Sequence, residues 1–139
     1  STIQIVDELT GGTHADIRSA LPGVRVVQVI HVVGEESVEE AKRLAPHVDA
    51  LLLDSGAPTK KIKELGGTGR VHDWRLSRAI VEAVDVPVWL AGGLNPGNAA
   101  EAARSVRPFG LDICSGLRTK TCALVPEKLN AFARNLASA

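Results

Sequence analysis

Short apolar runs rich in β-branched residues alternate along this chain with stretches whose apolar positions recur every three or four residues. The runs are Thr2–Val6 (TIQIV), Val24–Val32 (VRVVQVIHV), Val48–Leu53 (VDALLL), Val86–Ala91 (VPVWLA) and Leu111–Ser115 (LDICS). Each is brief and mostly apolar, the pattern of a strand buried on both faces. The intervening stretches predict helices. His14–Leu21 follows Thr13, a suitable N-cap. Glu35–Leu44 places Val38, Ala41 and Leu44 on one face and acids in its first turn, where the helix dipole favours them. Asp73–Val84 carries Leu76, Ile80, Val81 and Val84 at helical spacing. Asn95 as N-cap and Pro96 at the first helical position predict a helix running through Ala99, Ala102 and Ala103 to about Val106. Pro126 opens the last helix, whose apolar side is Leu129, Phe132, Ala133 and Leu136.

Strand and helix thus alternate throughout, without hairpin signals, which predicts a parallel α/β architecture with right-handed crossovers. The whole of 1–139 reads as a single domain. A complete eight-stranded (β/α) barrel takes roughly 200–250 residues, so five such units fall short of one. The chain starts at Ser1 and contains no Met, which marks it as processed, trimmed, or a piece of something longer.

Composition narrows the function classes. Sixteen basic residues balance sixteen acidic ones, and the four aromatics are too few for a base-stacking platform, so nucleic acid is not the expected partner. No apolar run approaches the ~20 residues of a membrane span, and the N-terminus lacks the order of a signal peptide. The two cysteines, Cys114 and Cys122, fit neither a disulfide framework nor a zinc knuckle, which points to a reducing cytoplasm. His14, His31, His47 and His72 have no ligand spacing, so no metal is expected.

Chemistry in parallel α/β proteins gathers at the C-terminal ends of strands. Three consecutive predicted strands end in glycine-bearing loops: Gly56 and the Gly66-Gly67-Thr68-Gly69 segment, Gly92-Gly93, and Gly116. Glycine lets backbone N–H groups approach an anion, so the set suggests a phosphate site, although any one pair also serves a tight turn. Asp54 ends an otherwise apolar strand and shares the parity of Ala50 and Leu52. A half-desolvated carboxyl there suits a general acid; a turn-forming or capping Asp is the equal alternative. Asp112, inside the last predicted strand, would need a partner or a ligand if buried.

Four segments resemble one family, phosphoribosylanthranilate isomerase. Gly66–Trp74 (GGTGRVHDW) is similar to its GGTGKTFDW loop, Leu90–Asn98 (LAGGLNPGN) to LAGGLNPEN, Val106–Arg118 (VRPFGLDICSGLR) to VRPYGVDVSSGVE, and Leu51–Ser55 (LLLDS) to LLLDT. The order is the same, and the resemblance runs over nearly the whole chain. It implies a partial TIM (β/α)8 barrel, with the five strands corresponding to the fourth to eighth. It also implies a cofactor-free enzyme of tryptophan biosynthesis, which converts N-(5-phosphoribosyl)anthranilate to 1-(2-carboxyphenylamino)-1-deoxyribulose 5-phosphate by an Amadori rearrangement. Asp54 falls on the family's general acid. Gly92, Gly93, Ser115 and Gly116 fall on its phosphate-binding loops, Asp112 on a position lining the substrate pocket, and Gly67 and Gly69 on the flexible loop after the sixth strand.

The departures are specific. The family's base, a Cys in a KICGIT-like first strand, has no counterpart here, nor has the Arg that binds the anthranilate carboxylate. The His of its LQLHG strand is missing from Ile3–Asp7, Arg118 replaces a Glu, and Cys114 replaces a Ser. Two readings follow: the isomerase, with its base supplied by a complementing N-terminal segment, or a truncated, inactive homologue that binds a phosphorylated ligand or self-associates through its open sheet edges.

Overall fold

A computed structural model describes residues 1–54 and 74–139 of the chain. Among the described residues, five strands, β1 (Thr2–Ile5), β2 (Arg25–His31), β3 (Ala50–Asp54), β4 (Val88–Ala91) and β5 (Gly110–Leu111), alternate with five helices, α1 (His14–Ala20), α2 (Glu36–Leu44), α3 (Trp74–Ala83), α4 (Ala99–Val106) and α5 (Pro126–Ala137). The strands form one sheet in the order β1-β2-β3-β4-β5, and every pairing is parallel. Sequential order with no reversal is the winding of a (β/α) barrel; a doubly wound sheet would reverse its order at a switch point.

Alternation along each strand divides the sheet into two faces. Val26, Ile30, Leu51, Leu53, Val88 and Leu90 point to the helices, where they pack with Val38, Ala41, Ile80, Ala102 and Val106 in the main core. The opposite face carries Val27, Val29, Leu52, Trp89 and Ala91 as a smaller cluster. A groove of about 480 Å³ runs along this second face, bordered by Gln4, Val27, Leu52, Trp89 and Phe109. Phe109 packs edge-on against Trp89 and remains 69% exposed. The two outermost helices, α1 and α5, bury no residue, and Leu129 of α5 stays exposed. The predicted apolar side of α5 therefore lacks a full partner among the described residues.

Polar residues in and beside the strands tie the layers together. Asp49 accepts the Val26 N–H at 2.7 Å and pairs with Arg18 of α1 at 2.9 Å, fixing the start of β3 to its neighbours. Buried Gln28 donates to the carbonyls of Ile5 (3.2 Å) and Asp7 (3.3 Å), and its side-chain oxygen meets His14 Nε2 at 2.9 Å. Thr13 caps α1 as its sequence position predicts: its hydroxyl accepts the Asp16 N–H at 3.2 Å, and Asp16 accepts the Thr13 N–H at 2.7 Å.

Two expected boundaries move by three residues or more. The helix expected to begin at Pro96 is regular only from Ala99. Asn95 still does a cap's work on the preceding turn, its side-chain oxygen accepting the N–H groups of Gly97 (2.8 Å) and Asn98 (3.2 Å). The strand expected over Leu111–Ser115 is only Gly110–Leu111. Its last pairing is Leu111 with Leu90; the Asp112 N–H still donates to the Leu90 carbonyl at 2.8 Å, and β4 ends one residue later at Ala91, where the chain turns at Gly92-Gly93. Asp112 thus lies beyond the strand and is exposed, so it has no need of a buried partner. The predicted start of α3 at Asp73 lies outside the described residues.

Leu53 is fully buried between the sheet and the helices, and Leu53→Ala will cost about 2–5 kcal/mol in urea unfolding. The two hydrogen bonds from Thr13 hold the exposed Asp16 carboxyl below its ordinary value. Its contribution is therefore complete above the usual carboxylate range and is lost as pH falls through the lowered value. Unfolding curves of Thr13→Ala will show a destabilisation at neutral pH that shrinks in acid.

Candidate functional site

A cavity of about 240 Å³ opens where the strands end, on the face away from the helices. Its lining comes from every strand end or the loop that follows: Gln4 and Val6, Val29, Leu52 and Asp54, Ala91–Leu94, and Asp112–Ser115. The sheet register explains the convergence. His31 is the Cα partner of Asp54, and Asp54 of Ala91, so the last residues of β2, β3 and β4 stand side by side at one rim.

On one side of this rim is backbone. Gly92 (φ 88°) and Gly93 (φ 63°) both take the left-handed conformation, which turns the chain sharply out of β4. Asn98 holds this turn by donating its side-chain amide to the Gly93 carbonyl at 3.0 Å. Gly116 sits in the short 3₁₀ turn Ser115–Leu117, where a Cβ would overlap the Leu94 carbonyl oxygen. Glycine is required there because the two loops touch. None of the N–H groups of Gly92, Gly93, Ser115 and Gly116 is taken up by an acceptor among the described residues. Clustered backbone donors at strand ends suit an anion such as a phosphate.

On the other side is carboxylate and imidazole. The Asp54 side chain is 35% exposed, intermediate as its position at the end of a buried strand predicts. His31 Nδ1 lies 3.7 Å from Asp54 Oδ2, and His31 Nε2 lies 3.8 Å from Asp7 Oδ1. Ser37 of α2 fixes the His31 main chain by donating its hydroxyl to the His31 carbonyl at 3.3 Å, and Val32 N–H donates to the Asp54 carbonyl at 3.0 Å.

The structure therefore brings Asp54, Gly92, Gly93, Asp112 and Ser115 together around one cavity, with Gly116 supporting the loop beside them. Gly67 and Gly69 lie outside the described residues. His31, which has no distinguishing spacing in the sequence, stands beside Asp54 at this rim. A signal was present: it is the last residue of β2, shares the parity of Val27 and Val29, and occupies the same place on its strand as Asp54 does on β3. His14, by contrast, is structural, bonded to Gln28 and stacked on His47. Cys114, at the cavity edge, is exposed and in no disulfide.

Residues 5–134 match the family model described as N-(5'-phosphoribosyl)anthranilate isomerase. The chain is 50% identical over 106 residues to the N-(5'-phosphoribosyl)anthranilate isomerase of Haloferax volcanii, covering 76% of this chain and 46% of the relative. It is 42% identical over 115 residues to that of Methanocella arvoryzae, covering 80% of this chain and 52% of the relative. Among solved structures, the phosphoribosyl anthranilate isomerase of Thermotoga maritima superimposes with a TM-score of 0.78 at 25% identity, covering 99% of this chain and 62% of the other. The chain spans about half the length of the curated relatives it matches. With its strand order, its rim chemistry and a match over nearly all its length, this chain belongs to the N-(5'-phosphoribosyl)anthranilate isomerase family.

Proposed function

We propose that the protein catalyses the Amadori rearrangement of N-(5-phosphoribosyl)anthranilate to 1-(2-carboxyphenylamino)-1-deoxyribulose 5-phosphate. The observation that carries this reading is the division of one cavity between a carboxyl group, Asp54, and the backbone donors of two glycine loops. The loops at Gly92-Gly93 and Ser115-Gly116 bind the substrate phosphate and so fix where the ribose lies. Asp54, on the facing side, protonates the ring oxygen. The C1–O bond then breaks with its electron pair on that oxygen, and the C1–N bond becomes an imine. A base removes the C2 proton, giving an enolamine, which tautomerises to the ketone. Asp112 lines the pocket beside the sugar.

In this reading the base comes from a strand other than the five described. The open inner face of the sheet, the sparsely buried α1 and α5, and the half-length match to relatives all fit a barrel completed by further strand–helix units. Those units belong to the same protein or to a complementing chain. The reading carries with it the cytoplasmic location and the cofactor-free chemistry that the family implies.

The direct test is loss of phosphoribosylanthranilate fluorescence on adding the protein expressed from its complete reading frame. No turnover, with binding of a reduced product analogue retained, would leave a phosphate-binding module in place of an enzyme. In the active protein, Asp54→Asn will lower kcat by about 10²–10⁴. Gly116→Ala will push the two loops apart and raise KM by about tenfold, equivalent to one lost charge-assisted hydrogen bond.

A further inference from the structure

We propose that His31 is a proton-relay residue that recharges Asp54 from solvent by way of Asp7. The proposal rests on the isomerase reading above and adds a residue and a path to it.

The geometry is a line of three side chains. Asp7, on the loop after β1, is 89% exposed; His31, at the end of β2, is 42% exposed; Asp54, at the end of β3, is 35% exposed. One imidazole nitrogen faces each carboxylate, at 3.8 and 3.7 Å, so the ring joins an outer group to an inner one. The main chain at all three positions is held by hydrogen bonds. Gln28 holds the Asp7 carbonyl, Ser37 holds the His31 carbonyl, and the Val32 N–H holds the Asp54 carbonyl. Among the described residues, Asp7 and Asp54 are the charged groups facing the ring.

The chemistry requires such a supply. Each turnover takes one proton from Asp54 to the ribose ring oxygen, and the base gains one from C2. The acid must be reprotonated before the next cycle. His31 with its proton on Nδ1 passes that proton to the Asp54 carboxylate as Nε2 accepts one from water gathered at the Asp7 carboxylate. The base returns the C2 proton to solvent, and exchange of the ring proton with water restores the Nδ1–H tautomer, so no net proton is consumed. Histidine is suited to this because its ordinary proton affinity lies near neutral pH.

The test uses the protein expressed from its complete reading frame, with steady-state kinetics on phosphoribosylanthranilate. His31→Asn is expected to lower kcat at least about tenfold with KM changed less than about twofold. Added imidazole should restore kcat, which a merely structural loss would not permit. In an Asp54→Asn background, His31→Asn should cost nothing further, because the relay has nothing left to recharge. Asp7→Asn should lower kcat less than His31→Asn does. An unchanged kcat in His31→Asn, a loss that imidazole does not restore, or a further loss in the Asp54→Asn background would each overturn the relay and leave the isomerase reading intact. Absence of turnover in the unmodified protein would remove both.

Discussion

Parallel pairing in sequential order is the constraint on which the rest of this molecule depends. Because all five strands run the same way, their C-terminal ends lie on one edge, and whatever follows each strand is delivered there. The register then decides which residues meet. His31, Asp54 and Ala91 are neighbours because Val27 pairs with Ala50 and Leu51 with Val88, several residues below them. A shift of one residue in β3 would send Asp54 to the helix side and Leu53 to the cavity. The apolar residues that face the helices, Val26, Ile30, Leu51, Leu53, Val88 and Leu90, penalise that shift heavily. The packing of one face of the sheet thus fixes the chemistry of the other.

The rim divides its labour by kind of atom. Its glycine loops offer main-chain N–H groups, whose positions are set by backbone turns and by the contact between Gly116 and the Leu94 carbonyl. Such donors need no side-chain ordering when a ligand arrives, which favours binding a phosphate in one place. The opposite side offers a carboxyl and an imidazole, Asp54 and His31, each on the last residue of a strand. Backbone donors on one side of the rim and a carboxyl beside an imidazole on the other are therefore held apart by the same sheet.

Much of this was legible in the sequence, for reasons that differ between elements. The alternation of β-branched runs with amphipathic stretches marked all five strands and helices, because burial on both faces leaves few polar residues in β2, β3 and β4. Thr13 announced its helix through its cap chemistry, and Pro126 did the same. Asp54 stood out because a carboxylate ends an apolar run. The end of β5 was not legible: its length depends on where β4 turns away, a property of the partner strand that Leu111–Ser115 does not record. For the same reason Asp112 looked buried and is exposed. The place of His31 at the rim was not legible because its pairing with Asp54, far along the chain, puts it there, and nothing next to it in the chain does so.

The central claim is that the two glycine loops and Asp54 line a single ligand site. Amide chemical shifts, followed as the reduced product analogue is titrated into the complete protein, test it most directly. The account predicts that the N–H signals of Gly92, Gly93, Ser115 and Gly116 move together, with one dissociation constant, and that the signals around Asp54 move with them. Saturable shifts confined to another surface, such as the cleft between His14 and His47, with the four rim signals unmoved, would contradict it.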